Sequence, residues 1–430
     1  MKTICRFCLL LILLLWALPV RAEIEISAPG QQEIPLALVP FLALDNKPGA
    51  NLIDEFNQVL EDDLVFSGLF RLIDRRAFLA DAGRPGLLSI DVDFAEWRLL
   101  GAEMLIKGGY RVVGEQLIIE ARLFDVRARR LLDGRRYVGS LKDARRMAHT
   151  FADQVLKVLT GDTGPFTTRI AFVSDATGRK ELYLMDVDGH NPIRMTNHRS
   201  IVLNPDFSSD GRRILFTSYR DGNTNLYVKD IYSGRERRIS SRKGLNVGGR
   251  FSPVDDRIAL TLSKDGDPEI YLLDASGNIL ERLTRHWGID IDPSWAPDGR
   301  SLAFVSNRRG NPHIFIQQPG GEVQRLTLEG KYNATPAWSP KGDRIAFTRK
   351  QDGRFDIYTI RPDGSDERRL TFGPGNKEHP RWSPDGRYLV YSSDASGRKE
   401  ILLMRADGTG TWNITPKTGN CNHPAWSPRY

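Results

Sequence analysis

DIDPSWAPDGRSLAFVSNRRG, residues 290–310, returns later in the chain as NATPAWSPKGDRIAFTRKQDG (333–353) and EHPRWSPDGRYLVYSSDASG (378–397). The shared text approximates P-x-W-S-P-D-G-x-x-I-A-F-x-S. Its aromatic column extends over most of the chain as Phe207, Phe251, Trp295, Trp338, Trp382 and Trp426, separated by 44, 44, 43, 44 and 44 residues. A period of this size, built from short apolar runs and Gly-containing turns, predicts the blades of a β-propeller, each of about four strands.

Further columns keep the same register. Ile214, Ile258, Leu302, Ile345 and Leu389 open the next strand, Tyr227, Tyr271, Phe315, Tyr358 and Leu402 follow, and Ser240, Thr284, Thr327, Thr371 and Thr415 close the unit. The missing residue of the 43-residue spacing falls between Phe315 and Gly320, in a turn, because a slip inside a paired strand would invert every side chain. Ile170, Tyr183 and Thr196 form a unit with no aromatic strand before it, whereas Trp426 heads a unit that stops at Tyr430. Each half lacks what the other has, so 422–427 is expected to lie beside 170–174 and close a ring of six blades.

At 430 residues two domains are expected. Lys2 and Arg6 precede an apolar run over 9–18, and Val20-Arg21-Ala22 offers a cleavage site before Glu23, so 1–22 reads as a secretory signal peptide and the mature protein as soluble and exported. The run is too short to span a bilayer. Loss of Lys2, Arg6 and Arg21 would lower the formal charge from +7 to +4. Cys5 and Cys8 would leave with the signal, and the one remaining cysteine, Cys421, reads as a small buried residue. The arginines at 127, 129, 130, 135, 136, 145 and 146 are interleaved by Asp125, Asp133 and Asp143, the pattern of a solvated face and not of a nucleic-acid site.

Residues 23–160 form the first domain. By composition 23–33 (EIEISAPGQQE) reads as a frayed end. A buried strand is expected over 34–44, then a helix over 50–66 with Leu52, Phe56, Val59, Leu60 and Leu64 on one face and Ser67-Gly68 at its end. A short strand (LFRLI), a Gly- and Asp-rich loop and a short helix around Trp97 follow. Strands over 103–113, 116–126 and 130–139 read as a meander turning first at Gly114-Glu115. A second helix over 143–159 carries Ala144, Met147, Ala148, Phe151, Val155 and Leu159 on one stripe, with Ser140 as candidate cap. The linker 160–169 is short enough that this α/β domain should touch the all-β propeller over 170–430.

Motifs for catalysis are missing: the chain has no G-x-S-x-G elbow, phosphate loop or H-E-x-x-H, and no paired cysteines after the signal segment that carries Cys5 and Cys8. Asp186-Val187-Asp188-Gly189 and Arg361-Pro362-Asp363-Gly364 resemble fragments of calcium loops but lack the distal Glu and alternating oxygens, and read as turns. His379 and His423 occupy equivalent positions without a third ligand nearby in the repeat, so they read as exposed rim histidines. Position three before each aromatic is Asn204, Gly248, Asp292, Thr335, His379 and His423. A core that repeats under a rim that varies, placed on loops entering the innermost strands, reads as a docking surface.

The strings IPLALVPF, DLVFSGLF, GAEMLIKGGYRVVGEQLIIEARLFDV, RRMAHTFADQVLKVLTG and TRIAFVSDATGRKELYLMDVDGHNP, followed in this order by the W-S-P-D-G repeats, resemble the TolB family, periplasmic proteins of the Tol-Pal system, over 23–430. The resemblance implies a non-enzymatic, cofactor-free adaptor of the cell envelope that serves outer-membrane integrity and constriction in cell division. It implies docking of the peptidoglycan-associated lipoprotein on a propeller mouth made of Gly248, Ile291, Asp292, Thr335, His379 and His423, with Asn204 of the same column. It makes 23–33 a mobile arm binding TolA, through Glu23, Ile24, Glu25 and Ile26. Two repeats depart from the pattern: the second has Gly248-Gly249-Arg250-Phe251 and Val254-Asp255-Asp256, and the first has Ser209 in place of Pro. A periplasmic propeller that binds cell-wall glycan or peptide, or a hydrolase remnant, is the other class left open.

Overall fold

The computed structural model describes residues 33–45, 50–415 and 419–429, so the signal peptide and the arm residues Glu23, Ile24, Glu25 and Ile26 lie outside the described residues. Strand β1 (Ile34–Leu38) runs parallel to both β3 (Phe70–Leu72) and β4 (Met104–Val113). Parallel neighbours require a crossover. The first is supplied by α1 (Ala50–Ser67), which buries Phe56, Val59, Leu60 and Leu64, with Leu52 only partly covered. Beyond β4, β5 (Gln116–Asp125) and β6 (Arg130–Ser140) add antiparallel, giving the order β3-β1-β4-β5-β6. Helix α2 (Phe94–Leu99) inserts Trp97 beneath the sheet, and α3 (Ala144–Thr160) buries all six residues of its expected stripe against α1.

Two local expectations change. The strand expected over 34–44 is interrupted: β1 ends at Leu38 and a two-residue strand β2 (Leu42–Ala43) resumes pairing with β4. Pro40 has no N–H for the ladder, and the N–H of Phe41 turns instead to Asn57 Oδ1 at 3.1 Å. Gly108 leaves the space that the Phe41 ring fills, since a Cβ there would lie 2.1 Å from it. Ser140 does not cap α3 directly. Its backbone N–H and hydroxyl both donate to Asp143 at 2.9 and 2.8 Å, closing a 3₁₀ turn that feeds the helix.

The remainder is six four-stranded antiparallel sheets. Their innermost strands are Val202–Phe207, Asn246–Phe251, Asp290–Trp295, Asn333–Trp338, Lys377–Trp382 and Cys421–Trp426, and each adjoins the next around the ring, the last adjoining the first. The carboxy-terminal strand pairs with β7 (Arg169–Ser174), in the register Trp426 to Ile170 and Cys421 to Ser174. That joins the two half-units into one blade, one residue earlier than expected. The closure is reinforced where Trp426 Nε1 donates to Thr168 Oγ1 at 2.7 Å and Arg169 N to Ser427 Oγ at 3.0 Å.

The repeat columns have local reasons. The terminal Thr hydroxyl accepts an N–H of the third strand in five blades, as in Leu182 to Thr196, Ile270 to Thr284, Ile314 to Thr327, Ile357 to Thr371 and Ile401 to Thr415. The indoles of Trp295 and Trp382 donate to Arg250 O (3.3 Å) and Ala337 O (2.8 Å), each on the preceding blade. Not all six aromatics are core: Phe207, Phe251, Trp382 and Trp426 are buried, whereas Trp295 and Trp338 are half-buried.

Candidate functional site

Asn204, Gly248, Asp292, Thr335, His379 and His423 all adopt positive φ, between +48° and +67°. At each the innermost strand slips register against its neighbour, for example between Leu203 and Asp206 and between Glu378 and Arg381. These are six β-bulges, one per blade. The next residue is Pro in five blades and Gly249 in the other. A bulge is where a strand tolerates a residue without N–H, so the P-x-W text is the sequence signature of this geometry. For a side chain other than glycine the left-handed conformation costs roughly 1–2 kcal/mol, and the flanking ladders hold it in place.

The rim is therefore placed differently from expectation. The six residues stand inside the innermost strands, not on the loops that enter them, and they are half-buried, with Gly248 buried. Two neighbouring pairs of them touch: a Cβ on Gly248 would lie 3.3 Å from Asp292 Oδ1, and the rings of His379 and His423 have centroids 4.1 Å apart. Thr335 Oγ1 shares a 2.7 Å hydrogen bond with Thr348 Oγ1, and His423 Nδ1 lies 2.9 Å from Asn422 Oδ1. Burial, then the charges of Lys399 and Arg250, push His379 down to about 3. Burial and the adjoining His379 likewise hold His423 well below the usual imidazole range. The pair is thus neutral and packed, correcting the reading of exposed rim histidines. Burial raises the Asp292 carboxyl, which Arg250 partly offsets. Ile291 is half-buried and packs on the blade core beside Ala334 and Trp338. Among the described residues no group of three or more His, Cys, Asp or Glu side chains is placed to hold a metal ion.

Around this throat lies an outer lip that the repeat analysis missed. Ile201, Leu245, Ile289 and Tyr332 occupy one column, six residues before the aromatic, and are 42%, 38%, 42% and 41% exposed. Trp287 and Leu328 stand nearby, exposed as well. The last two members of the column are Asn376 and Asn420, each tied to an aspartate, Asp394 and Asp175. Four adjacent blades thus carry an apolar crescent and two a polar one. The signal was legible as apolar residues in a loop position where turns are normally polar.

A second concave region lies between the domains. Phe66, at the end of α1, stacks on Tyr388 at 4.6 Å and meets Trp412 edge-on at 4.3 Å, while Arg405 donates to the terminal carbonyls of α1, Phe66 O (3.2 Å) and Val65 O (3.1 Å). Beside this contact is a groove of about 520 Å³, whose walls include Val59, Phe166, Val187 and Ile414. His149 of α3 sits at its floor between Asp63 of α1 (2.7 Å) and Asp188 of the propeller (3.2 Å), and Arg145 also pairs with Asp188. Burial opposes charge on His149, but the two carboxylates outweigh it and carry its pKa up to about 10. Asp188, expected only as a turn residue, is therefore part of the domain contact as well; the turn itself closes as expected, with Gly189 N donating to Asp186 O at 2.9 Å.

Comparison with known proteins agrees with this architecture. A family model described as "TolB beta propeller domain" matches residues 156–430, and one described as "TolB amino-terminal domain" matches residues 22–132. The "Tol-Pal system protein TolB" of Syntrophotalea carbinolica is 60% identical over 209 residues, 48% of this chain and 49% of that protein. That of Geobacter sulfurreducens is 43% identical over 189 residues, 44% and 43% of the two. The chain thus spans about half the length of the curated relatives it matches. The crystal structure of TolB from Acinetobacter baumannii superposes with a TM-score of 0.81 at 28% identity, covering 94% of this chain and 98% of that one. The chain belongs to the TolB family.

Proposed function

We propose that this protein is a non-enzymatic adaptor of the Tol-Pal system, working in the periplasm to maintain the outer membrane and support constriction in cell division. The observation that carries the reading is the propeller mouth: an exposed apolar crescent on four blades surrounding a ring of strained, diversified residues. Contiguous apolar surface with a polar margin is what a protein partner covers, and the curated relatives are named for the Tol-Pal system. Its partner there is the peptidoglycan-associated lipoprotein, contacted through Asn204, Gly248, Ile291, Asp292, Thr335, His379 and His423. TolA is the partner of the amino-terminal arm, through Glu23, Ile24, Glu25 and Ile26. Among the described residues no helix is long and apolar enough to cross a membrane, in keeping with attachment through protein partners.

The arm and the mouth are read as coupled. The groove between the domains offers the arm an apolar seat, and docking of the lipoprotein shifts the balance between the seated and the released arm. Titration calorimetry with the purified soluble domain of the lipoprotein tests the first part. Saturable binding that weakens at least about tenfold in Tyr332→Ala and Ile289→Ala supports docking at this mouth. Binding of wall glycan or peptide fragments in its place would replace the adaptor with the rival class. Hydrogen exchange over 23–33 with and without the lipoprotein tests the coupling, and unchanged protection would remove it.

A further inference from the structure

At the end of the channel opposite the docking mouth the six aromatics border a cavity of about 360 Å³, lined by propeller residues alone. Of the residues just before each aromatic, Asp206, Arg250, Ser294, Ala337 and Arg381 line this cavity. The two arginines line the cavity from the second and fifth innermost strands, three blades apart in a ring of six, and so from opposite sides.

Neither guanidinium is satisfied. Arg250 is 8% exposed, and its Nε is buried without a hydrogen-bond partner. Its Nη1 donates to the adjacent Gly249 O at 3.2 Å, and the nearest carboxylate oxygen, Asp206 Oδ1, stands 3.9 Å away. Arg381 Nε is also buried and unpartnered, and its Nη1 reaches only Pro336 O and Pro380 O, at 3.4 and 3.5 Å. A guanidinium presents five N–H groups, and leaving a buried one unpaired forfeits its hydration without return. Asp206 meets only part of this need: its Oδ2 accepts from the N–H of Phe251 at 2.9 Å, and its Oδ1 balances the charge of Arg250 from beyond hydrogen-bond distance. Two guanidinium groups with unpaired N–H donors thus border one cavity, and a small anion seated there would supply the acceptors they lack.

We propose that this end of the channel is an anion-binding site that takes a small oxyanion held between Arg250 and Arg381. Guanidinium groups match the paired oxygens of carboxylate and phosphate, and the cavity is the size of a small-molecule site. Free phosphate and a small dicarboxylate carry the same chemistry, and titration separates them.

The experiment is calorimetric titration of the mature protein, in low-salt buffer free of oxyanions, with inorganic phosphate and, separately, with malonate. Saturable one-to-one binding of either supports the site and identifies its source. Arg381→Gln and Arg250→Gln should each weaken that binding at least about tenfold, the loss expected for one charged hydrogen-bonding partner. The anion should raise the melting temperature of the wild type and not of the variants. Arg250 is deeply buried, so if its variant fails to fold the half-buried Arg381 decides. Absence of saturable binding by both anions, or unchanged affinity in Arg381→Gln, overturns the proposal. Tyr332→Ala and Ile289→Ala, at the other mouth, should leave anion binding intact, which keeps this test separate from that of lipoprotein docking.

Discussion

Trp382 shows how much one residue does in this scaffold. Its indole is buried, fills the space between the fourth and fifth innermost strands, and donates to Ala337 O on the preceding blade. Trp382→Ala should lower stability by about 3–5 kcal/mol, read by urea titration, because it removes a large buried ring together with a buried hydrogen bond. Trp338→Ala should cost less, since that ring is half-buried. The neighbouring histidines carry a prediction of the opposite kind, about pH. His379 and His423 have folded-state pKa values below the ordinary imidazole value near 6.5. The unfolded chain therefore takes up protons first, and the stability they support, complete above about 6.5, falls as pH drops toward about 3. Melting curves recorded between pH 7 and pH 4 should show that loss, and His423→Asn should blunt it.

At the scale of elements, α1 and α3 hold the propeller through their ends rather than their lengths. The last carbonyls of α1 lie at the negative end of the helix dipole, and Arg405 supplies both the hydrogen bonds and the complementary charge while lying 5.0 Å from the Trp412 ring. Arg405→Ala should destabilise the domain contact by roughly 1–2 kcal/mol, seen as a lower melting temperature with faster exchange at the end of α1. On α3, His149 has a pKa raised to about 10. Folding keeps it protonated, so its contribution is complete below about 6.5 and disappears as pH rises through about 10. Stability should decline between pH 7 and pH 10, and His149→Gln should flatten that part of the profile. The bulged inner strands follow a similar logic: one left-handed residue per blade, strained in the five blades where it is not glycine, is held in place by the ladder beside it.

The whole molecule depends on closing its ring. Cys421–Trp426 pairs not with a strand that follows it, as the other described innermost strands do, but with β7, which begins 252 residues earlier at Arg169. Removing residues 421–430 would expose β7 and open the apolar edges of two blades. We expect the melting temperature to fall by roughly 10 °C or more, with lipoprotein capture lost in parallel, as several kcal/mol of packing disappear. Unchanged melting and capture in that truncation would contradict both the closed ring and the docking role.

Six blades of four strands, the closing partner of the last strand and the stripes of both long helices could be read in the amino-acid sequence alone. Each follows from a period, and a period is a local property that buried faces impose on the chain. The family resemblance was legible for the same reason, carried by whole strings in order. The sequence also picked out the column Asn204, Gly248, Asp292, Thr335, His379 and His423, but not its backbone state or burial. Positive φ at Thr335 or His423 runs against the preference of those residues, and only the ladders on either side impose it. The partnership of Asp188 with His149 and Arg145, and the placing of Arg250 and Arg381 on the walls of one cavity, involve residues 39, 43 and 131 positions apart. No periodicity encodes such pairs, because their proximity and their electrostatics arise only when the ring closes and the domains dock.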